Sequence, residues 1–256
     1  MFGSKNAYSV QSVENALDIL EILADLSVDA TLPLLAERLG ISRNKAFRLL
    51  ATLEGRGLVL REEHSGIYRI GLNAVALAQR FIKGASLIRL AHPVMEELAR
   101  RHDEAVYLTV MIGEEVLFLD MVDCGQSVKA APLVGRKFPC FTNAAGKVIR
   151  ALESGDLVEK FIHRSRRKLA PEELNRLESE IEEIRRKGVA VDCNGLGDGL
   201  IGVAVAVKDY AGKVVGAITV LGPAFRLLAD RIEKEIVPSL QEGAEMLSMK
   251  FGYAKF

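Results

Sequence analysis

The four residues Leu39-Gly40-Ile41-Ser42 constrain this chain more than any other stretch. Gly40 stops a short apolar helix, LPLLAERL, and Ser42 caps the next, which runs to about Arg56 before Gly57 ends it. A short turn containing glycine between two such helices is the form a helix-turn-helix uses. Upstream, Ser12 is placed to cap a helix with Glu14 in its first turn. Its apolar positions Val13, Ala16, Leu17, Ile19, Leu20, Leu23 and Ala24 recur at three and four, and it ends near Ser27. Thr31 is the expected cap of the second helix, where Pro33 is tolerable because early helical positions have no donor to lose. Downstream, LVLREE and IYRI read as a hairpin joined through His64-Ser65-Gly66. Three helices followed by a hairpin is the order of a winged helix-turn-helix.

The rest of the chain has a different rhythm. Residues 73–83, NAVALAQRFIK, form an Ala- and Leu-rich helix with more apolar surface than one small domain covers, so a second subunit is its expected partner. Gly84 breaks it, and an amphipathic helix follows from Ser86 to His102, with Pro93 expected to kink it or mark a boundary. Strands EAVYLTVM and EVLFLDMV join through Gly113-Glu114; VAVDC, LIGVAVAV and KVVGAITVL follow helices at 143–153 and 171–187. A last helix spans Leu228 to Met249, with Pro238 an expected irregularity. Tight strand pairs indicate an antiparallel α+β domain, not a doubly wound one. At 256 residues the chain has room for two cores. The expected division is 1–72 for the winged helix-turn-helix, 73–85 for a linker and dimerisation helix, and 86–256 for an α+β domain.

The 34 basic and 34 acidic residues cancel, so any attraction to nucleic acid must be local. It is local: Ser12 to Glu37 contains Glu14, Asp18, Glu21, Asp25, Asp29 and Glu37 with no basic residue, while Arg38 to Arg61 contains Arg43, Lys45, Arg48 and Arg56 against Glu54 alone. At about 100° per residue, Ala46, Leu49, Leu50 and Leu53 share the core side of the third helix. Asn44, Phe47, Arg48 and Ala51 share the opposite side, flanked by Arg43 and Lys45. Such a face also suits an ordinary solvated helix; the capped turn and the hairpin favour a recognition helix in a DNA major groove. Arginine and asparagine can bond base edges, whereas Lys45 and Ser42 suit phosphate. Arg61, His64 and Arg69 on the hairpin are candidates for flanking contacts.

Other chemistries find little support. Cys124, Cys140 and Cys193 lack metal-ligand spacing and read as buried thiols of a reducing compartment. His64, His92, His102 and His163 have no ligand spacing and no evident nucleophile partner, and read as surface or interface residues. No metal, cofactor or catalytic residue is expected. Gly197 to Gly202 fits G-x-G-x-x-G, but the continuation VAVAV is β-like where a dinucleotide site needs a helix. Neither a signal peptide nor a membrane span is evident, which points to the cytoplasm. An enzyme, or a ligand-binding module without DNA function, remains the alternative.

The runs SVENALDILEILAD, TLPLLAERLGISRNKAFRLLATLEGRGLV, HPVMEELARR, VGRKFPCFTNAAGK and VVGAITVLGP together resemble the IclR family of bacterial transcriptional regulators over nearly the whole chain. The resemblance implies a winged-helix domain on double-stranded operator DNA, a dimerising linker helix, a homodimer or homotetramer, and a C-terminal GAF-like α+β domain that binds a small organic effector. It carries the effector site onto Asn143, Ala144, Ala145, Gly146, Asp192, Gly202, Thr219 and Leu221. Departures are evident: Phe141 stands for the usual histidine, Asn143 for a hydroxyl residue, and Gly202 for a common cysteine. The implied effector is a small organic acid with an apolar or aromatic body and a hydroxyl, in a larger and less polar pocket than a two-carbon acid needs. Its carboxylate would sit at Ala144 to Gly146 and its hydroxyl on Asp192.

Overall fold

The computed structural model describes residues 8–25, 29–153 and 171–253. In the first part of the chain, α1 (Gln11–Ala24), α2 (Leu32–Arg38) and α3 (Arg43–Gly55) precede an antiparallel hairpin of β1 (Val59–Arg61) and β2 (Tyr68–Ile70). The winged order read from the sequence is therefore present, and α4 (Leu72–Gly84) follows it. The turn between α2 and α3 forms because Gly40 takes φ +62°, which lets the Ile41 amide reach back to the Ala36 carbonyl (3.0 Å). Ser42 then accepts the Lys45 amide (3.3 Å) and starts α3. Ile19, Leu23, Leu35, Leu50, Leu53, Val59 and Tyr68 make one core from all these elements. Each fully buried side chain of this size contributes about 1.5–3 kcal/mol.

Several local expectations are corrected. Ser12 does not cap α1: the cap position is Val10, two residues earlier, with the Val13 and Glu14 amides bonded to the Val10 carbonyl and Gln11 tied to Asn15. Thr31 occupies the cap position of α2, but its hydroxyl takes no amide; its backbone is extended and bridges Ile67, extending the wing. In α1 the buried stripe is Asn15, Ile19 and Leu23, leaving Val13 and Leu17 exposed. The expected end near Ser27 lies outside the described residues.

From Ser86 the fold is a six-stranded antiparallel sheet with helices on both faces. Its strands are β3 (Ala105–Ile112), β4 (Glu115–Val122), β5 (Lys137–Pro139), β6 (Val189–Cys193), β7 (Leu200–Lys208) and β8 (Val214–Pro223), in the order β5-β4-β3-β8-β7-β6. One face packs on α5 (Ser86–His102) and a C-terminal helix made of α8 (Ala229–Arg231), a π-helical turn (Ile232–Ile236) and α9 (Val237–Lys250). The irregularity expected near Pro238 is that π turn, which lies just before the proline. Pro93 does not break α5, because Ala91, Val94, Met95 and Leu98 around it are held in the core. The opposite face meets α6 (Ala144–Leu152) and α7 (Pro171–Lys187).

Strand alternation gives the two faces different volumes. Val203, Val205, Val207, Ile218 and Val220 face α5 and α9. Ala190, Ala204, Ala206 and Ala217 face α6 and α7. The chain forms two compact units, Met1–Gly84 and Ala85–Phe256.

Candidate nucleic-acid interface and ligand site

On α3, Ala46, Leu50 and Leu53 are buried while Arg43, Asn44, Phe47, Arg48 and Ala51 are exposed, so one helix serves the core and presents a polar, cationic face. Among the described residues, Arg43, Lys45, Arg48 and Arg61 form no ion pair. Ser42, Asn44, Lys45, Arg48 and Thr52 line an open groove that also takes in Ser12 of α1, a residue the sequence offered only as a cap. On the hairpin, Arg61 lies over the Tyr68 ring (5.9 Å), and His64 is exposed at the turn. Arg69 differs from these: it is hydrogen-bonded to Glu62 and lies 3.9 Å from Asp29. The Arg69 hydrogen bond holds the Glu62 carboxyl below its usual range, with Ser65 adding to the effect. Arg69 thus braces the hairpin, with less free charge than Arg61.

The eight residues expected around a ligand come together at the start of α6 and on the small-residue face of the sheet. Gly202 pairs with Asp192 on one side and Leu221 on the other, and Thr219 pairs with Ala204. A Cβ on Gly202 would meet Ala144 Cβ at 3.7 Å, Leu221 Cδ1 at 3.8 Å and Thr219 Cγ2 at 3.9 Å. That is ordinary contact, so the missing side chain leaves room for about one methyl group.

Two of the eight are occupied within the chain. Asn143 caps α6, accepting the Gly146 amide at 3.0 Å and donating to the Pro139 carbonyl at 3.1 Å. Gly146 is required because a Cβ there would lie 2.0 Å from the Cys140 carbonyl oxygen. Asp192 Oδ1 meets Lys147 Nζ at 3.2 Å, and Oδ2 accepts the Gly195 amide at 2.9 Å. Lys147 also meets Glu180 of α7 at 2.8 Å. Burial pulls the Lys147 ammonium down, but Glu180 and Asp192 outweigh it and leave its pKa raised.

Two further groups stand at this place, Lys147 and Tyr107, and the sequence marks them only as part of a motif and of a strand, because their partners come from tertiary packing. Tyr107 is the β3 partner of Thr219 and is fully buried; neither hydroxyl has a hydrogen-bond partner among the described residues. The pair adds two hydroxyl groups to this otherwise small and apolar face.

The structure also places the residues that the sequence singled out for other chemistries. Gly197 to Gly202 leads into β7, so no helix end follows it. Cys124 and Cys140 are buried as expected, and burial raises the Cys140 thiol pKa despite Arg150 nearby. Cys193 is exposed, contrary to expectation, because β6 is the edge strand and its side chain points away from the core. His64 is on the surface, and His92 bonds Asp120 at 2.7 Å. His102 is buried at the end of α5, against the surface expectation, because the chain turns into β3 there; burial and then Arg231 lower its pKa. His163 lies outside the described residues. Among the described residues no cluster of histidine, cysteine or acidic side chains is arranged to hold a metal, and no helix is long and apolar enough to cross a membrane.

Comparison with known proteins covers both parts of the chain. The model of the bacterial transcriptional regulator IclR C-terminal domain matches residues 79–249, and that of the IclR helix-turn-helix domain matches residues 12–63. The chain is 26% identical over 253 residues to the HTH-type transcriptional regulator KdgR of Escherichia coli (strain K12), covering 97% of this chain and 95% of that one. An IclR transcriptional regulator from Alicyclobacillus acidocaldarius superposes with TM-score 0.82 at 26% identity, covering 94% of this chain and 99% of that one. An IclR homolog from Microbacterium hydrocarbonoxydans, solved in complex with 4-hydroxybenzoate, superposes with TM-score 0.78 at 20% identity, covering 94% and 99%; at that identity the likeness is one of fold.

Proposed function

The chain belongs to the IclR family of bacterial transcriptional regulators, and from that premise we propose that it holds operator DNA on α3 and a small organic acid between α6 and the sheet. The observation that carries this reading is the division of α3 into a core face and an exposed face whose cations have no ion-pair partner among the described residues. Arg43, Asn44, Phe47 and Arg48 meet base edges, and Ser42 and Lys45 meet phosphate. Arg61 and His64 flank them, and Arg69 keeps the hairpin in shape. The protein acts as a homodimer, joined through the exposed apolar residues of α1 and α4, so that two α3 helices meet related half-sites.

The acid's carboxylate is received at the N-terminal end of α6, near Ala144 and Ala145, where Asn143 fixes the first turn. Gly202, Thr219 and Leu221 contact its body. Asp192 acts through Lys147, holding a positive charge beside that end of the site. The complex of the Microbacterium homolog with 4-hydroxybenzoate supports an acid as the ligand class. An enzymatic role has no comparable support, since the relatives are regulators.

Selection of bound duplexes from a randomised pool tests the first half: a sequence with approximate two-fold symmetry should be enriched. Recovery of unenriched DNA would remove operator recognition. A thermal-shift panel of organic acids against amines and sugars of similar size tests the second. Stabilisation by the neutral or cationic compounds alone would exclude the acid.

A further inference from the structure

We propose that Tyr107, with Thr219 beside it, selects the ligand by donating a hydrogen bond to an oxygen remote from the carboxylate, so that the preferred acids carry a distal hydroxyl or carbonyl group. This rests on the acid reading above and adds to it the residue that discriminates among acids.

The two side chains are register partners on β3 and β8, on the face that also carries Ala204 and Leu221 and meets α6. Directly opposed side chains on antiparallel strands start about 5 Å apart at their Cβ atoms. Both residues are 0% exposed, and neither hydroxyl oxygen has a partner among the described residues. Leaving a buried hydroxyl unbonded is unfavourable, and the large majority of buried side-chain polar atoms have a partner. The neighbouring polar groups do not share this state. Asn143, Lys147 and Asp192 are bonded within the chain, and Thr109, farther along β3, donates to the Ala217 carbonyl at 3.2 Å. Unmet hydrogen-bonding capacity at the site is therefore concentrated on Tyr107 and Thr219.

Chemistry fixes the role as donation. Burial pushes the Tyr107 phenol up to about 12, so it keeps its proton at neutral pH; the Leu133 backbone N–H approaches the phenol oxygen as a donor and offsets the shift in part, which leaves the phenol's own proton without an acceptor. Its ring stands edge-on to Phe118 (5.3 Å between centroids), and Phe118 stands edge-on to Phe138 (5.5 Å). The Tyr107 ring is thus held by an aromatic neighbour that is itself packed on a second ring, which fixes where its hydroxyl stands. Gly202 supplies the space beside Thr219 that a larger side chain would close.

The test uses the full-length protein, Tyr107→Phe and Thr219→Val, with two matched probe pairs: benzoate with 4-hydroxybenzoate, and cyclohexanecarboxylate with 4-oxocyclohexanecarboxylate. Calorimetric titration of the unaltered protein should show the oxygenated member of at least one pair binding about tenfold tighter or more, because a site built around a donor rejects the analogue lacking its acceptor. Tyr107→Phe should erase that preference while leaving the affinity for the plain acid within about twofold. Acids that bind with no preference, or a preference that survives in Tyr107→Phe, would overturn the inference and leave the acid reading standing. If none of the probes binds, the acid reading loses its support and ligand-free stability decides the hydroxyl pair. Both variants at least as stable as the parent in urea would uphold hydroxyls unbonded in the empty protein. A loss of stability in Tyr107→Phe would reveal a structural bond and overturn the inference.

Discussion

Arg48 and Lys45 lie three positions apart on α3, but their chemistry suits them to different tasks. A guanidinium offers two parallel donors that match a guanine edge, whereas an ammonium is a point charge suited to phosphate. Arg48→Ala should therefore weaken operator binding by about 1–3 kcal/mol and relax selection at one base pair. Lys45→Ala should weaken all sequences alike and reduce the salt slope by about one unit. Anisotropy titrations over a salt series separate the two, and unchanged binding in both variants would remove the recognition face. That face was legible because helical periodicity alone sorts Arg48 from Leu50. Lys147 was not, since its partners Asp192 and Glu180 lie far along the sequence and only tertiary packing joins them. Replacing it by methionine would strand a nearly buried Asp192 carboxylate, and a loss of about 3–5 kcal/mol in urea unfolding is expected. Its raised pKa fixes the sign of the pH effect. The ion-pair contribution is fully present below the unfolded value of about 10.4 and is lost as pH rises through the higher folded value. Equal stability of Lys147→Met and parent at pH 8 would show that the ion pairs contribute nothing.

At the scale of elements, α1 and α4 carry apolar surface that their own unit leaves uncovered. Val13 and Leu17 follow one another at helical spacing on the outside of α1, each 55% exposed, and Leu72, Val75, Leu77 and Phe81 are exposed on α4. The sequence already indicated this for α4, from an apolar composition with no matching core. It did not do so for α1, because a helix with apolar residues on several sides does not reveal which stripe packs inward. Asn15 took one turn of the inner stripe, a position no hydrophobic pattern would assign. The caps were likewise half legible: Ser42 and Asn143 bond the amides three residues on, while Ser12 and Thr31, with similar chemistry, do not. A seam built from α1 and α4 should be sensitive to charge. Leu77→Glu should shift sedimentation toward monomer and weaken operator binding, since a carboxylate buried there would have no partner. A variant that remains dimeric at low micromolar concentration would move the interface elsewhere.

For the molecule as a whole, two domains in one chain make a regulator only if occupancy of one alters the other. The α+β class and the winged order were legible because they follow from element order and tight strand pairs, which are local. The pairing of Tyr107 with Thr219 at the candidate site was not, because it depends on a register between β3 and β8 that the sequence does not display. Control by an acid has a consequence independent of where the coupling runs. If a bound acid changes operator affinity by some factor, bound operator must change acid affinity by the same factor, because the two routes to the doubly liganded protein share their end points. A factor of about 5–150 is the usual range. Saturating the acid at about a hundredfold over its dissociation constant should also stabilise the protein by about 2.7 kcal/mol. The measurement is a pair of titrations with the tightest-binding acid of the panel: operator into protein with and without acid, and acid into protein with and without operator. Matching factors, with Arg48→Ala retaining the parent's affinity for acid alone, are expected of a regulator. An acid that binds tightly yet leaves operator affinity unchanged would make the ligand a stabiliser and not an effector.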